Sequence, residues 1–123
     1  PALVLPGNGC LDGGERALRT LARLAEPPTA VFCYNDVTAI GLISAARQAD
    51  LSVPEHLAVV GFDNIPLAAH VYPPLTTVAQ PQRAMGRQAM DMALALITVT
   101  AGDATTPFSD IVVRGKLAVR ETT

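Results

Sequence analysis

The chain is 123 residues long, 50% hydrophobic and 16% charged, with a mean hydropathy of +0.32; that is enough apolar matter for one compact core and too much for a disordered segment. Nine Lys and Arg against eleven Asp and Glu leave a formal charge of −2, which excludes nucleic-acid binding by bulk charge, because phosphate affinity needs clustered excess Lys and Arg. The longest apolar stretch, residues 93–99, falls well short of the ~20 residues that span a bilayer, and two cysteines, Cys10 and Cys33, make neither a disulfide framework nor a metal spacing with His56 or His70.

Leu3–Leu5 reads as a short strand. Asp12-Gly13-Gly14-Glu15 has the spacing of a capping box, opening a helix with Ala17, Leu18, Leu21 and Leu24 on one face, Glu15–Arg19 as an i,i+4 pair, and Pro27-Pro28 as its stop. Ala30–Tyr34 is a continuous apolar run, expected as a strand covered on both faces, with Cys33 buried and reduced within it. Asn35-Asp36 opens a second helix, with Val37, Ile40, Ile43 and Ala46 in register, that ends near Asp50. Leu57–Phe62 is a second buried strand ended by Asp63-Asn64, and Pro66 suits the first turn of a short helix. Leu75–Ala79 is a third strand, in which Thr76 and Thr77 are ordinary by propensity. A long helix runs from after Pro81 to about Thr98, with Met85, Ala89, Met92 and Leu96 on one face and an Arg87–Asp91 pair on the other. A loop at residues 102–107 and strands at Ile111–Val113 and Leu117–Val119 close the chain. Strands alternating with helices predict an α/β fold with a mainly parallel sheet.

Asn35-Asp36 and Asp63-Asn64 each follow a buried strand directly, with one helix between the strands. A right-handed crossover puts both pairs on the carboxyl edge of the sheet, where open α/β folds bind ligands. Capping the next helix is the plainer role for such residues; the two roles are compatible if one residue of each pair caps while the other faces a cleft. Gly7-Asn8-Gly9 fails the dinucleotide fingerprint, because Asp12 stands where the third glycine belongs. Gly13-Gly14 suits close helix packing. Cys10 and His70 are nowhere placed together as nucleophile and base, and His56 and His70 read as loop residues. No acid–base pair argues for an enzyme, and no cofactor or metal is implied.

Ala30–Gly41 (AVFCYNDVTAIG), Val53–Asp63 (VPEHLAVVGFD), Pro74–Gln80 (PLTTVAQ), Met85-Gly86 and Leu117–Thr122 (LAVRET) run in order through most of the chain. This ordered set resembles the effector-binding core of LacI/GalR-family bacterial transcription regulators. The resemblance implies a periplasmic-binding-protein-like type I fold, three-layer and mainly parallel, of which this is the C-terminal part. It implies residues 1–79 in the C-terminal subdomain, 80–115 as a crossover helix and strand of the other subdomain, and 116–123 as a terminal strand and tail. By position, Asn35 and Asp63 match cleft residues that hydrogen-bond sugar hydroxyls or a purine, Gln80 lies at the crossover near the pocket, and Gly9 stands in the segment entering the cleft. Many members carry a stacking aromatic at the Gly9 position; glycine here implies a bulkier or differently placed effector. The same resemblance implies a homodimer or larger assembly, with Ile40 and Val71 at the interface, and DNA contact only through an N-terminal domain not in this chain.

The expected function is therefore effector sensing by a cytoplasmic, non-membrane regulator that binds a small polar metabolite, sugar-like or purine-like, to control operator binding. The alternative is a periplasmic sugar-binding protein of a transporter, which needs a signal peptide; Pro1–Pro6 lacks a basic region and a long apolar one.

Overall fold

The computed structural model describes residues 3–98 and 110–123. In chain order it contains α1 (Leu11–Leu21), β1 (Ala30–Phe32), α2 (Asp36–Gln48), β2 (Ala58–Asp63), a 3-10 turn (Pro66–Ala69), β3 (Thr76–Ala79), α3 (Gln82–Thr98) and β4 (Lys116–Ala118). The chain divides into two compact units, the first made of Pro1–Ala79 with Lys116–Thr123 and the second of Gln80–Gly115.

The first unit is built on a sheet of order β1-β2-β3-β4. β1, β2 and β3 are parallel, with Phe32 opposite Val60 and Asp63 opposite Ala79, and β4 closes the sheet antiparallel to β3. The fold is thus the expected α/β class with a mainly parallel sheet. α2 packs on β2, and α1 packs on α2. The core is Leu18, Cys33, Ala39, Leu42, Ile43, Ala45, Ala46, Leu57, Val59, Ala68 and Leu75; fully burying a Leu or Val contributes ~1.5–3 kcal/mol each. The helices approach closely because Gly14 and Gly41 carry no side chain. A Cβ on Gly14 would run into the Thr38 carbonyl and stand 2.6 Å from the Leu42 nitrogen, and one on Gly41 would strike the Leu11 carbonyl. α2 is therefore buried on two sides, and its buried set is not the single stripe Val37, Ile40, Ile43, Ala46: Ile43 and Ala46 are buried together with Ala39, Gly41, Leu42 and Ala45, while Val37 and Ile40 are half-buried.

Several local expectations need correction. No capping box forms at Asp12: α1 begins at Leu11 after Cys10, whose carbonyl accepts from the Gly13 and Gly14 amides. Asn8 takes over the local role, its Oδ1 accepting from the Cys10 amide at 3.1 Å. Asp12 instead accepts from Asn8 Nδ2 and pairs with Arg16; these partners, Asn8 first, hold its carboxyl below the ordinary value. Glu15–Arg19 and Arg87–Asp91 form no ion pairs among the described residues, as expected of exposed pairs that gain little over hydration. α1 ends at Leu21, before Pro27-Pro28, because Leu24 lies beyond the α2 contact and is exposed. Leu3–Leu5 is not a strand; Leu3 and Val4 are exposed and leave β1 as the sheet edge. β1 is not covered on both faces: Val31 and Cys33 turn inward, whereas Phe32 is 63% exposed and Tyr34 81% exposed. Phe32 meets Phe62 edge-to-face on that outer side, ring centroids 6.4 Å apart.

The second unit carries α3, on which Met85, Met90, Leu94, Leu96 and Ile97 are exposed. The strand expected at Ile111–Val113 is absent, and Ile111 and Val112 are exposed; among the described residues this unit offers no second strand to complete a ladder. The loop expected at 102–107 lies outside the described residues.

Candidate functional site

Three strand ends meet on the carboxyl edge of the first unit. β1 runs out through Cys33, whose amide donates to the Val60 carbonyl at 2.8 Å, into Tyr34 and Asn35. β2 ends on Asp63, which sits opposite Ala79, the last residue of β3. Asn35 and Asp63 are thus on one edge, as the crossover argument required. Gln80 follows Ala79 directly and opens the second unit.

Asn35 does two things at once. Its Oδ1 caps α2 by accepting from the Thr38 amide at 2.8 Å, and its Nδ2 donates to the Gly9 carbonyl at 2.9 Å. Gly9 has φ +74°, in the region that favours glycine. The segment Gly7-Asn8-Gly9 is therefore tied to the strand ends although it belongs to no strand. Asp63 has φ +113° and the next residue, Asn64, φ +56°, so the chain turns sharply as it leaves β2 and sets Asp63, half-buried, at the rim.

Asp36 does not face a cleft. It is fully buried, its Oδ2 accepting from the Ile65 amide at 2.8 Å and its Oδ1 from the Thr77 hydroxyl. Gly61 is the only residue type that fits beneath it, since a Cβ there would overlap Oδ1 and lie 2.9 Å from Leu75 Cδ2. Thr77 Oγ1 also takes the Asn64 amide at 3.4 Å. From the far end of the chain, Arg120 donates to the Leu75 carbonyl at 2.6 Å and to Asn64 Oδ1 at 2.7 Å. Asn64 is consequently held by Thr77 and Arg120, and Asp36 fixes the next residue, Ile65, and the Thr77 hydroxyl itself. Nearby, the buried Thr122 hydroxyl accepts from the Thr76 amide at 2.9 Å and donates to the Val59 carbonyl at 2.6 Å, and Arg120 N donates to Thr76 Oγ1.

Thr76 and Thr77 are thus not ordinary strand residues. A threonine pair on a central strand exposes one hydroxyl to each face, and both are buried here, so each needs a partner; that was the available signal for this network. His56 closes its own loop, Nδ1 accepting from the Ser52 amide at 2.9 Å. His70 is exposed, and Cys10 spends its thiol on the Asn8 carbonyl. Burial pushes the Cys33 thiol up to about 12, with the Asp36 charge adding to the effect, so it is an inert core group. Among the described residues no His, Cys, Asp and Glu cluster could hold a metal, and no helix is long and apolar enough to cross a membrane. Ile40 and Val71 are half-buried and pack against the core.

A cavity of about 870 Å³ runs along β1 between Leu3–Gly9 and α1, lined also by Ala30, Phe32, Tyr34 and Thr38; of the sequence-predicted site residues only Gly9 lines it, and Asn35, Asp63 and Gln80 do not.

A periplasmic binding protein-like domain matches residues 7–123. The HTH-type transcriptional repressor CytR of Escherichia coli (strain K12) is 47% identical over 90 residues, 73% of this chain and 26% of that protein. PurR of Vibrio vulnificus, also an HTH-type transcriptional repressor, is 44% identical over 91 residues, 74% and 27% of the two chains. A transcriptional regulator CelR–cellobiose complex has a TM-score of 0.84 at 35% identity, covering 95% of this chain and 35% of that one. A LacI family transcriptional regulator from Lactobacillus casei with bound sucrose has a TM-score of 0.74 at 32% identity, covering 93% and 41%. The chain spans about a quarter of the length of the curated relatives it matches.

Proposed function

The chain belongs to the periplasmic-binding-protein-like domain family, in the form carried by LacI-type transcriptional repressors, and from that premise we propose that it is the effector-sensing part of such a regulator. The ligand is a small polar metabolite bound at the carboxyl edge of the first unit. Asp63 accepts hydrogen bonds from ligand hydroxyls or ring N–H groups. Asn35 and Gly9 form the adjoining wall, and Gln80 contributes from the start of the crossover. The observation that carries this reading is the Asp63-Asn64 turn: two consecutive positive-φ residues, held at Asn64 by Thr77 and Arg120 and followed by Ile65 fixed on Asp36, on the edge where α/β sheets bind ligands. A core needs no such turn; a site that must present a carboxylate at a fixed place does. Relatives crystallised with cellobiose and sucrose support a sugar-like effector.

On the same premise, residues 80–115 belong to the second subdomain of the core, Ile40 and Val71 lie at a subunit interface, the protein works in the cytoplasm, and DNA is read by a separate N-terminal domain. Effector binding then changes the arrangement of subdomains and, through it, of the DNA-reading part. A thermal-shift screen of sugars, polyols and purines on the full-length protein tests the reading. A stabilising compound whose addition changes operator affinity is the expected outcome; operator affinity unaffected by every stabilising compound contradicts it.

A further inference from the structure

The side chain of Arg120 is not what anchors the segment after β4. Its neighbours do that: the Glu121 amide donates to the Pro74 carbonyl at 3.0 Å, the Val59 amide donates to the Thr122 carbonyl at 2.8 Å, and the buried Thr122 hydroxyl joins the Thr76 amide to the Val59 carbonyl. The half-buried guanidinium of Arg120 is left to span two other acceptors, the Leu75 carbonyl at 2.6 Å through Nη1 and Asn64 Oδ1 at 2.7 Å through Nη2. Leu75 is fully buried in the core. Asn64 needs the help more: it has φ +56° and follows Asp63 at φ +113°, conformations that persist in non-glycine residues only where the surroundings impose them. The Asn64 amide reaches Thr77 Oγ1 at 3.4 Å, a long hydrogen bond, so the short bond from a charged donor is the stronger hold. Because the guanidinium is planar, seating one arm on a core carbonyl places the other arm, and with it Asn64.

Resting on the functional reading above, we propose that Arg120 is a positioning residue for effector binding: it acts through Asn64, locking the turn so that the Asp63 carboxylate stands at one place on the carboxyl edge. Effector affinity is thereby set in part from the segment after β4, 56 residues along the chain from Asn64. A lysine at this position keeps the charge but not the function. Its ammonium is a point donor without a second arm, so it can serve the Leu75 carbonyl or Asn64 and cannot clamp one against the other. A turn released in this way lets Asp63 sample several positions, and re-ordering it on binding costs affinity.

The test combines calorimetric titration with hydrogen–deuterium exchange on the full-length protein, in wild type, Arg120→Lys, Asn64→Gly and the double variant, with cellobiose, sucrose and adenosine as probes. Asn64→Gly takes the positive φ without strain and removes the acceptor. In Arg120→Lys the peptide covering residues 60–66 should exchange about tenfold faster than in wild type while the α2 peptide does not change, and the affinity of whichever probe binds should fall about tenfold. Asn64→Gly should lose a similar factor, and the double variant should lie within about twofold of either single one, because both changes break the same bond. Losses that multiply in the double variant overturn the claim that Arg120 acts through Asn64. Unchanged exchange over residues 60–66 overturns the brace itself. Faster exchange with probe affinity within about twofold of wild type overturns the positioning role and leaves the functional reading standing. A lower melting temperature with unchanged affinity in the folded fraction makes Arg120 a stabilising residue only, and the proposal is wrong. No binding of any probe to wild type up to about 10 mM also overturns it, and the screen described above then decides the functional reading separately.

Discussion

Replacing Asp36 by alanine should be among the most damaging single substitutions in the first unit. Its carboxylate is fully buried and accepts two hydrogen bonds, from the Ile65 amide and the Thr77 hydroxyl. Bonds to a charged acceptor contribute ~1.5–3 kcal/mol each, and full burial of the side chain keeps bulk solvent from replacing them. Asp36→Ala should therefore cost ~3–6 kcal/mol, a large fraction of the ~5–15 kcal/mol that holds a domain together. Asp36→Asn keeps one acceptor oxygen for the Ile65 amide, and its new N–H group can donate to Thr77 Oγ1 once that hydroxyl rotates. It should cost ~1–2 kcal/mol. Urea denaturation followed by far-ultraviolet circular dichroism gives both values on one scale. A loss below about 1 kcal/mol for the alanine variant, or equal losses for the two variants, would refute the claim that this carboxylate holds Ile65 and the Thr77 hydroxyl behind the Asp63-Asn64 turn.

Iodoacetamide applied to the native protein at pH 8 should label exposed Cys10 and spare Cys33, whose thiol burial pushes up to about 12. Because that value lies above the ordinary 9.0, the neutral buried thiol contributes stability that is full below pH 9 and is lost as pH rises toward 12; equal labelling of both cysteines contradicts this. Gly14→Ala should separate α1 from α2 and cost ~1–3 kcal/mol, as overpacking does, so a neutral or stabilising result on thermal melting would show that the helices are not locked by that contact. The exposed apolar residues Met85, Met90, Leu94, Leu96 and Ile97 of α3 should make the 123-residue chain a dimer or larger by light scattering, whereas a monomer at high concentration would show that this face needs no cover.

Most of the fold was legible because its elements carry strong local signals. The α2 start at Asn35, the Pro66 turn and α3 all follow from capping, proline and periodicity rules. The misplaced pieces have a common cause. Leu3–Leu5 and Ile111–Val113 have the composition of strands but no ladder partner among the described residues, and strand propensity alone does not supply one. Asp12 has the spacing of a cap, yet Asn8 four residues earlier satisfies the first orphan amide before Asp12 is reached. At the site, adjacency of Asn35 and Asp63 follows from topology alone. The division of labour within each pair does not: Asn35 caps and tethers Gly9, while Asp36, its neighbour, is buried and braces a loop from 29 residues away. Arg120 reaches Asn64 across 56 residues of sequence, a contact that only the antiparallel return of β4 creates.

The central claim is that Asp63, held at the carboxyl edge, binds the effector. Its direct test is effector titration of the full-length protein on labelled operator DNA, comparing wild type with Asp63→Asn and Asp63→Ala. Asparagine tolerates the positive φ of this position and removes only the charge, so its fold should survive intact. Both variants should keep operator binding while effector affinity falls about 10- to 150-fold, the equivalent of one charge-assisted hydrogen bond. A full effector response from Asp63→Asn, or loss of the fold together with the response, would contradict the account.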